Sequence, residues 1–443
     1  MKLAKVIPLY KGGDSDDPSN FRPISLLPTL SKIIERIVKE RMMNFLKRNN
    51  VLTINQFGFL ASKGTNDAMF SFLENLYLRL NDGEVAAAVF CDLSKAFDCV
   101  DHGILLRKLG VYGFRGKSLK WFSSYLVERC QVVVFKDNSS KTCTALSGVP
   151  QGSVLGPLLF LLYINDLPHL KISGSFTIFA DDTTILWSNN DPENLEKVVQ
   201  TNIIKIKDWC DSNLLSFNVS KTNVLTFKCQ MNDIFLNGDV IENVQANKFL
   251  GVHIDNKLKF ETHVFNLNKK LARNCFALKV IARNLDFLTT RAIYFSLIEA
   301  HLRYGVCFWG SCSGFLFNSV FLLQKRAIRF IHNAKVRDTC RPLFLSSGIL
   351  TLPCLFILEM VCMIHKKYKI NLATSPYITR NINTISLPIP TSTLTKKSFI
   401  YDGKKLFNHL PERIRTIKCS FKFKRLVKKY LVEKAYYSID EFY

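Results

Sequence analysis

The chain has no apolar run able to cross a bilayer: its longest, Val154 to Ile164, is about half the required length. Nor do its first residues, Met1 to Pro8, contain the apolar core of a secretory leader. Its 13 cysteines are odd in number, scattered, and never spaced as Cys-x-x-Cys. That excludes a read-off disulfide framework and favours reduced thiols inside a cell. The closest pair, Cys307 and Cys312, has only His301 and His332 nearby, so no structural zinc is expected. No internal repeat is present. Acidic residues are scarce, with 36 Asp and Glu against 60 Lys and Arg, and the formal charge of +24 calls for a polyanionic partner. Because the basic residues are spread along the chain and do not flank an apolar anchor, nucleic acid fits better than a membrane.

What the chain does have is apolar content typical of a folded protein, 48 %, and a length of 443 residues that implies several subdomains. Its few acids are placed pointedly. Ser175 to Phe179 alternates polar and apolar residues and Thr183 to Trp187 is β-branched and apolar, on either side of Ala180-Asp181-Asp182, which reads as a hairpin with two carboxylates at its tip. No Lys or Arg lies between Lys171 and Lys197, so a divalent cation is the simplest way to offset these charges. Alone, this could be an ordinary acidic turn. A second stretch changes the balance: Val85 to Cys91 is a continuous apolar run, expected to be a buried strand that delivers Asp92 at its C-terminal end. If the two strands are neighbours, Asp92 and Asp181 can share two divalent ions.

Three ordered segments carry a resemblance. Ala88-Val89-Phe90-Cys91-Asp92-Leu93-Ser94-Lys95-Ala96-Phe97-Asp98, then Gly148-Val149-Pro150-Gln151-Gly152-Ser153-Val154-Leu155-Gly156-Pro157, then Phe179-Ala180-Asp181-Asp182 resemble successive blocks of a reverse transcriptase palm. The resemblance is to non-LTR, LINE-type, jockey-like retrotransposon enzymes, and it runs from near residue 3 to about residue 335. It implies an α+β right-hand polymerase with an antiparallel palm sheet and a mostly helical C-terminal region. Fingers are expected over 1–84, a palm over 85–260 with a fingers insertion at about 112–147, and a helical thumb over 261–335. A basic region of unassigned role follows over 336–443. Relatives of this kind usually carry an endonuclease domain ahead of the fingers, which this chain is expected to lack.

Along the chain, helical spacing is expected from Ser31 through Leu46 and, opening after Thr65-Asn66, to Leu80, with the apolar stripes of both read as core. A helix is expected to follow Asp92 directly, through Leu109. Residues 121–126 read as a helix and Gln131–Phe135 as a strand. Asp191-Pro192-Glu193 supplies an N-cap, a first-turn proline and a first-turn acid for a helix through Trp209. Asn237-Gly238 marks a hairpin, and Lys248 to Asp255 is expected to be a strand at the primer end. Helical patterns with interleaved cations, among them Lys269, Lys270, Arg273, Lys325, Arg326 and Arg329, cover 261–283, 290–305 and 316–333. Pro-Ser-Thr-rich loops around 375–395 precede a basic amphipathic helix near Phe421 to Val432.

The resemblance implies roles residue by residue. Asp92 and Asp181 would bind two Mg²⁺ ions, with Mn²⁺ a possible substitute, and Asp182 would support them. Arg22, Lys63 and Lys11 would hold the triphosphate or template. Leu60 and Ala61 stand where the family often has basic residues, so that grip is expected either to be weaker than typical or to rest on Lys63. Gln151 and Gly152 would touch nucleotide and template, and Lys221 would donate a proton to pyrophosphate. Phe97, five residues after Asp92, stands where related RNA polymerases have an Asp for the ribose 2′-hydroxyl. A phenyl ring there implies exclusion of ribonucleotides. RNA template, DNA primer and dNTPs are the implied partners, and the nucleus the implied location. A catalytically inactive nucleic-acid-binding relic is the alternative.

Overall fold

The computed structural model describes residues 2–368, 384–387 and 398–443. Most of the Pro-Ser-Thr-rich loop region expected around 375–395 lies outside them. The chain divides into two compact units: Met1–Leu76 with Glu84–Val244, and Tyr77–Gly83 with Gln245–Tyr443.

In the first unit, β1 (Leu3–Tyr10) and β2 (Phe21–Leu26) lead into α1 (Thr29–Arg48), and α2 begins at Thr65 and runs to Asn81. Then come β3 (Val85–Cys91), β4 (Leu93–Ser94), α3 (His102–Val111), α4 (Lys117–Leu126), β5 (Arg129–Phe135), β6 (Asn138–Ser139) and β7 (Cys143–Ala145). After α5 (Gly156–Tyr163) follow the hairpin β8 (Ser175–Phe179) and β9 (Asp182–Asn189), then α6 (Pro192–Ser212). The unit closes with β10 (Ser216–Phe217), β11 (Asn223–Phe227), β12 (Ile234–Leu236) and β13 (Asp239–Asn243).

One sheet runs β12-β13-β11-β3-β9-β8, and a second is built on β2-β1-β5. The first is antiparallel as expected except at one place: β13 runs parallel to β11, because the tight turn at Asn237-Gly238 folds β13 back against β12 before it meets β11. Strand β3 is the sheet's apolar centre, with Ala86, Ala87, Ala88 and Val89 all fully buried between β9 and β11. Helix α5 is buried all round, which explains an apolar run too short for a bilayer.

Two helical expectations in the first unit need correction. The helix after Asp92 does not start there. Leu93–Ser94 pairs with Ser216–Phe217, Lys95 takes a left-handed φ of 48°, and the helix begins only at His102, capped by the Asp101 side chain on the Ile104 amide. The apolar stripe of α1 is not all core: Ile33 and Ile37 are 49 % and 52 % exposed, whereas Met42 and Leu46 are buried. The N-terminal half of α1 turns a polar edge, Ser31 and Glu35, to the protein instead.

In the second unit, β14 (Ala246–Phe249) and β15 (Val252–Asp255) form a hairpin in place of the single strand expected, since Leu250 and Gly251 both adopt left-handed φ. Helices α7 (Glu261–Ile281) and α8 (Phe287–Tyr294) follow. The latter continues through a π-turn over Phe295–Glu299 into α9 (Ala300–Arg303). Next are α10 (Val306–Trp309), α11 (Gly314–Ile331), α12 (Arg341–Ser347) and α13 (Leu352–Tyr368). Helices Phe399–His409, Glu412–Arg415 and Ser420–Lys434 and a final 3-10 turn, Asp440–Phe442, follow. Buried α13 is the centre of this unit, with Phe356, Leu358 and Val361 among its core residues.

Candidate active site

Strands β3 and β9 pair antiparallel with Cys91 opposite Thr183 and Phe90 opposite Thr184, so Asp92 emerges beside Asp182. The β8–β9 turn is two residues long, Phe179 facing Asp182, with Ala180 at φ 57° and Asp181 at the tip. Pattern alone left that adjacency open. The pairing supplies it.

The carboxylates bear the cost of being together. Asp181 is raised above the ordinary aspartate range, first by burial and then by the charge of Asp92, with Arg22 acting in the opposite sense. Asp182 is pushed up to about 6 by burial, then by Asp181 and Asp92. Both side chains reach solvent, yet the protein around the tip displaces enough water to disfavour their ionised forms. Among the described residues, no three His, Cys, Asp or Glu side chains enclose a ready-made ion cage. The donor set nevertheless suits a hard divalent cation, which takes carboxylate oxygens and leaves coordination positions for water and phosphate.

Each site element is tied to its neighbours through buried polar contacts. Asp92 donates its amide to the Thr222 hydroxyl at 3.3 Å and accepts the Asn218 amide at 3.0 Å. This fixes the Asn218–Thr222 turn, which presents exposed Lys221, against Asp92. The Ala180 turn is held from the other side. Buried Gln56 accepts, through its side-chain oxygen, the amides of Gly58 at 2.8 Å and Ala180 at 3.1 Å, while the Phe57 amide reaches Ile178 O at 2.8 Å. A Cβ on Gly58 would lie 2.4 Å from the Ala180 amide nitrogen, so only glycine fits.

Lys63, expected to grip phosphate, is turned inward. Its ammonium donates to Ile54 O at 2.6 Å and Gln56 O at 2.8 Å and lies over the Phe57 ring, and burial lowers its pKa. It braces the segment that holds the Ala180 turn. Arg22 and Lys11 are exposed, the first electrostatically linked to Asp181 and the second to Asp98.

The Gly148–Gly152 loop is stitched to the segment after Asp92. Gly148 and Val149 donate to Val100 O and Phe97 O, and Gln151 Nε2 donates to both Asp98 carboxylate oxygens, at 2.9 and 3.0 Å. The Gln151 amide oxygen is thereby turned away from Asp98. Gly152, at φ 127°, packs so tightly on β2 that a Cβ would fall 2.3 Å from Ser25 O. Buried Glu35 of α1 caps the same loop, accepting the amides of Val154 at 2.6 Å and Leu155 at 3.2 Å. Phe97 stacks on Phe160 with ring centroids 4.4 Å apart and meets Phe59 edge-on at 6.2 Å. Sequence reasoning passed over Gln56, Glu35, Asp98 and Thr222. Glu35 alone left a signal, a lone acid inside an apolar helical stripe.

A reverse transcriptase (RNA-dependent DNA polymerase) family profile matches residues 10–254, which contain every one of these residues. The chain belongs to the reverse transcriptase family. The chain is 29 % identical over 346 residues to a "Probable RNA-directed DNA polymerase from transposon BS" of Drosophila melanogaster, covering 74 % of the chain and 38 % of that protein. It is 29 % identical over 362 residues to the RNA-directed DNA polymerase from mobile element jockey of the same species, covering 77 % and 39 %. The chain thus spans about two fifths of the length of these relatives. Among solved structures, apo telomerase from Candida tropicalis aligns with 12 % identity and a TM-score of 0.43, over 85 % of this chain and 68 % of that one. The family implies dependence on a divalent metal.

Proposed function

We propose that this chain is the RNA-directed DNA polymerase module of a non-LTR retrotransposon, extending a DNA primer with dNTPs on an RNA template. The observation that carries this reading is the β3–β9 pairing that brings Asp92 to the Asp181-Asp182 turn. In the reaction the primer 3′-hydroxyl oxygen bonds to the α-phosphorus, the bond to the β-phosphate oxygen breaks, and pyrophosphate leaves while the hydroxyl proton passes to solvent. Asp92 and Asp181 would hold two Mg²⁺ ions, or Mn²⁺ in their place. The chemistry such ions supply is acidification of the hydroxyl and neutralisation of the leaving pyrophosphate. Asp182 adds negative charge beside them. Arg22, whose charge is felt at Asp181, would meet phosphate oxygens. Lys221, on the turn bonded to Asp92, is the candidate proton donor to pyrophosphate.

Gln151, with its amide nitrogen bound by Asp98, would offer its amide oxygen to nucleotide or template, and Gly152 lets that backbone lie close. Phe97, held in an aromatic stack, would occupy the space a ribose 2′-hydroxyl needs. In this reading the first unit provides fingers and palm, and the second provides thumb and C-terminal region. Use of chromosomal DNA as primer would place the reaction in the nucleus.

Primer extension on an RNA template with dNTPs and Mg²⁺ tests the proposal, comparing wild type with Asp181→Asn and with wild type in excess chelator. Extension by untreated wild type only is expected. Absence of extension by wild type that still binds RNA tightly would overturn it in favour of a binding module.

A further inference from the structure

The second unit ends in an unusually one-sided charge distribution. Between Arg413 and Lys434 lie nine of the chain's 60 Lys and Arg and one of its 36 Asp and Glu, so these twenty-two residues hold eight of the 24 net positive charges. The helix Ser420–Lys434 explains how such a segment folds: Phe423, Val427 and Leu431 recur every fourth residue and are fully buried. The opposite face is left to cations. Lys422, Arg425 and Lys429 fall at helical spacing on one side, with Lys428 and Lys418 flanking them, all exposed. Phe421 stands on the same face, 75 % exposed.

Compensation for these charges is slight. Lys424, at the border, is drawn 3.4 Å from Glu359 of α13, and Lys429 approaches Glu433 at 4.0 Å. Among the described residues, Lys418, Lys422, Arg425 and Lys428 have no carboxylate within ion-pair distance. Ordinary solvated faces mix the two signs, and cations one turn apart repel. A polyanion would relieve that repulsion, and a bilayer is a poor occupant because the helix's apolar face is already consumed by the protein's own core.

We propose that this face binds the phosphate backbone of a nucleic acid, by charge and without base readout. The proposal rests on the polymerase reading only for its choice of polyanion. The face would lengthen the footprint on the nucleic acid beyond the reaction centre, with Phe421 available to stack on an unpaired base.

The test measures binding of the full chain to a labelled RNA–DNA hybrid as a function of salt. Three proteins are compared: wild type, Lys422→Ala/Arg425→Ala/Lys428→Ala, and a control that removes as many exposed cations from the first unit, Lys171→Ala/Lys197→Ala/Lys205→Ala. Melting curves verify that all three fold. The expected result is at least a tenfold loss of affinity at moderate salt for the helix variant, with a salt slope shallower by roughly 2 to 3, and little change for the control. Equal behaviour of the helix variant and wild type, or an equal loss in the control, would overturn the inference. Loss of binding to phosphatidylserine vesicles with unchanged hybrid binding would also overturn it. Failure of wild type to bind the hybrid at all would instead count against the polymerase reading. Retained primer extension at saturating hybrid by the helix variant separates this face from the reaction centre.

Discussion

In the proposed reaction, Phe97 is the single side chain that would decide between two sugars. Its ring is fixed against Phe160 and Phe59, so a smaller residue leaves a void that no neighbour readily fills. Phe97→Val is expected to raise incorporation of ribonucleotides relative to deoxynucleotides by tenfold or more, read from competing extension on one template. An unchanged ratio would return Phe97 to a packing role. Glu35 works at the same scale by a different means. Its carboxylate is 1 % exposed and satisfies two amides at the start of the Val154–Leu155 bend. Glu35→Ala strands both donors, a loss of about 1–3 kcal/mol on the cost of unmet buried hydrogen bonds. Denaturant unfolding should show it, and a loss under 0.5 kcal/mol would mean that water replaces the carboxylate.

At the scale of elements, the decisive contact lies between the Gln56–Gly58 segment and the β8–β9 turn. Ala180 sits in a left-handed conformation that such turns usually reserve for glycine, and the Gln56 side chain and the Gly58 backbone hold it there. Gly58→Ala introduces a methyl 2.4 Å from a backbone nitrogen that cannot move without Asp181 moving too. Primer extension should fall by at least a hundredfold while circular dichroism stays native, and wild-type kinetics in this variant would show that the turn tolerates displacement. The same scale limits what pattern can reveal. The Ile33–Leu46 spacing announces a helix correctly, but the depth at which each apolar residue lies depends on which partner the helix meets. The helix after Asp92 was misplaced for a similar reason: a two-residue strand pairing with Ser216–Phe217, distant in sequence, takes Leu93–Ser94 first.

For the molecule as a whole, pH tests the balance between burial and charge. Asp402 is raised to about 6 by burial, with Lys405 only partly offsetting. Its folded value exceeds the roughly 3.9 of an unfolded aspartate, so the ionised form is what folding disfavours. The penalty is present at pH 7.5, diminishes as pH falls through 6, and is gone below the unfolded value. Asp402→Asn should therefore melt higher than wild type at pH 7.5, with the gap closing by about pH 4. A gap that stays constant over that range would assign the difference to packing.

The sequence by itself determined the family, the order of the three blocks and the identity of the carboxylates, because these reside in residue type and spacing along one strand or turn. The apolar run before Asp92 and the β-branched residues around Asp181 announce strands through local preference, which needs no partner to be legible. Only the tertiary structure decided that those strands are neighbours. It also decided that Lys63 braces a loop, that Gln56, Glu35, Asp98 and Thr222 hold the site in place, and that half of the α1 stripe stays outside. For Gln56, Glu35 and Thr222 the reason is the same. A hydrogen bond between residues more than a hundred positions apart, such as Gln56 to Ala180 or Glu35 to Val154, leaves no periodicity in either segment. Its energy appears only once the chain has brought both ends together.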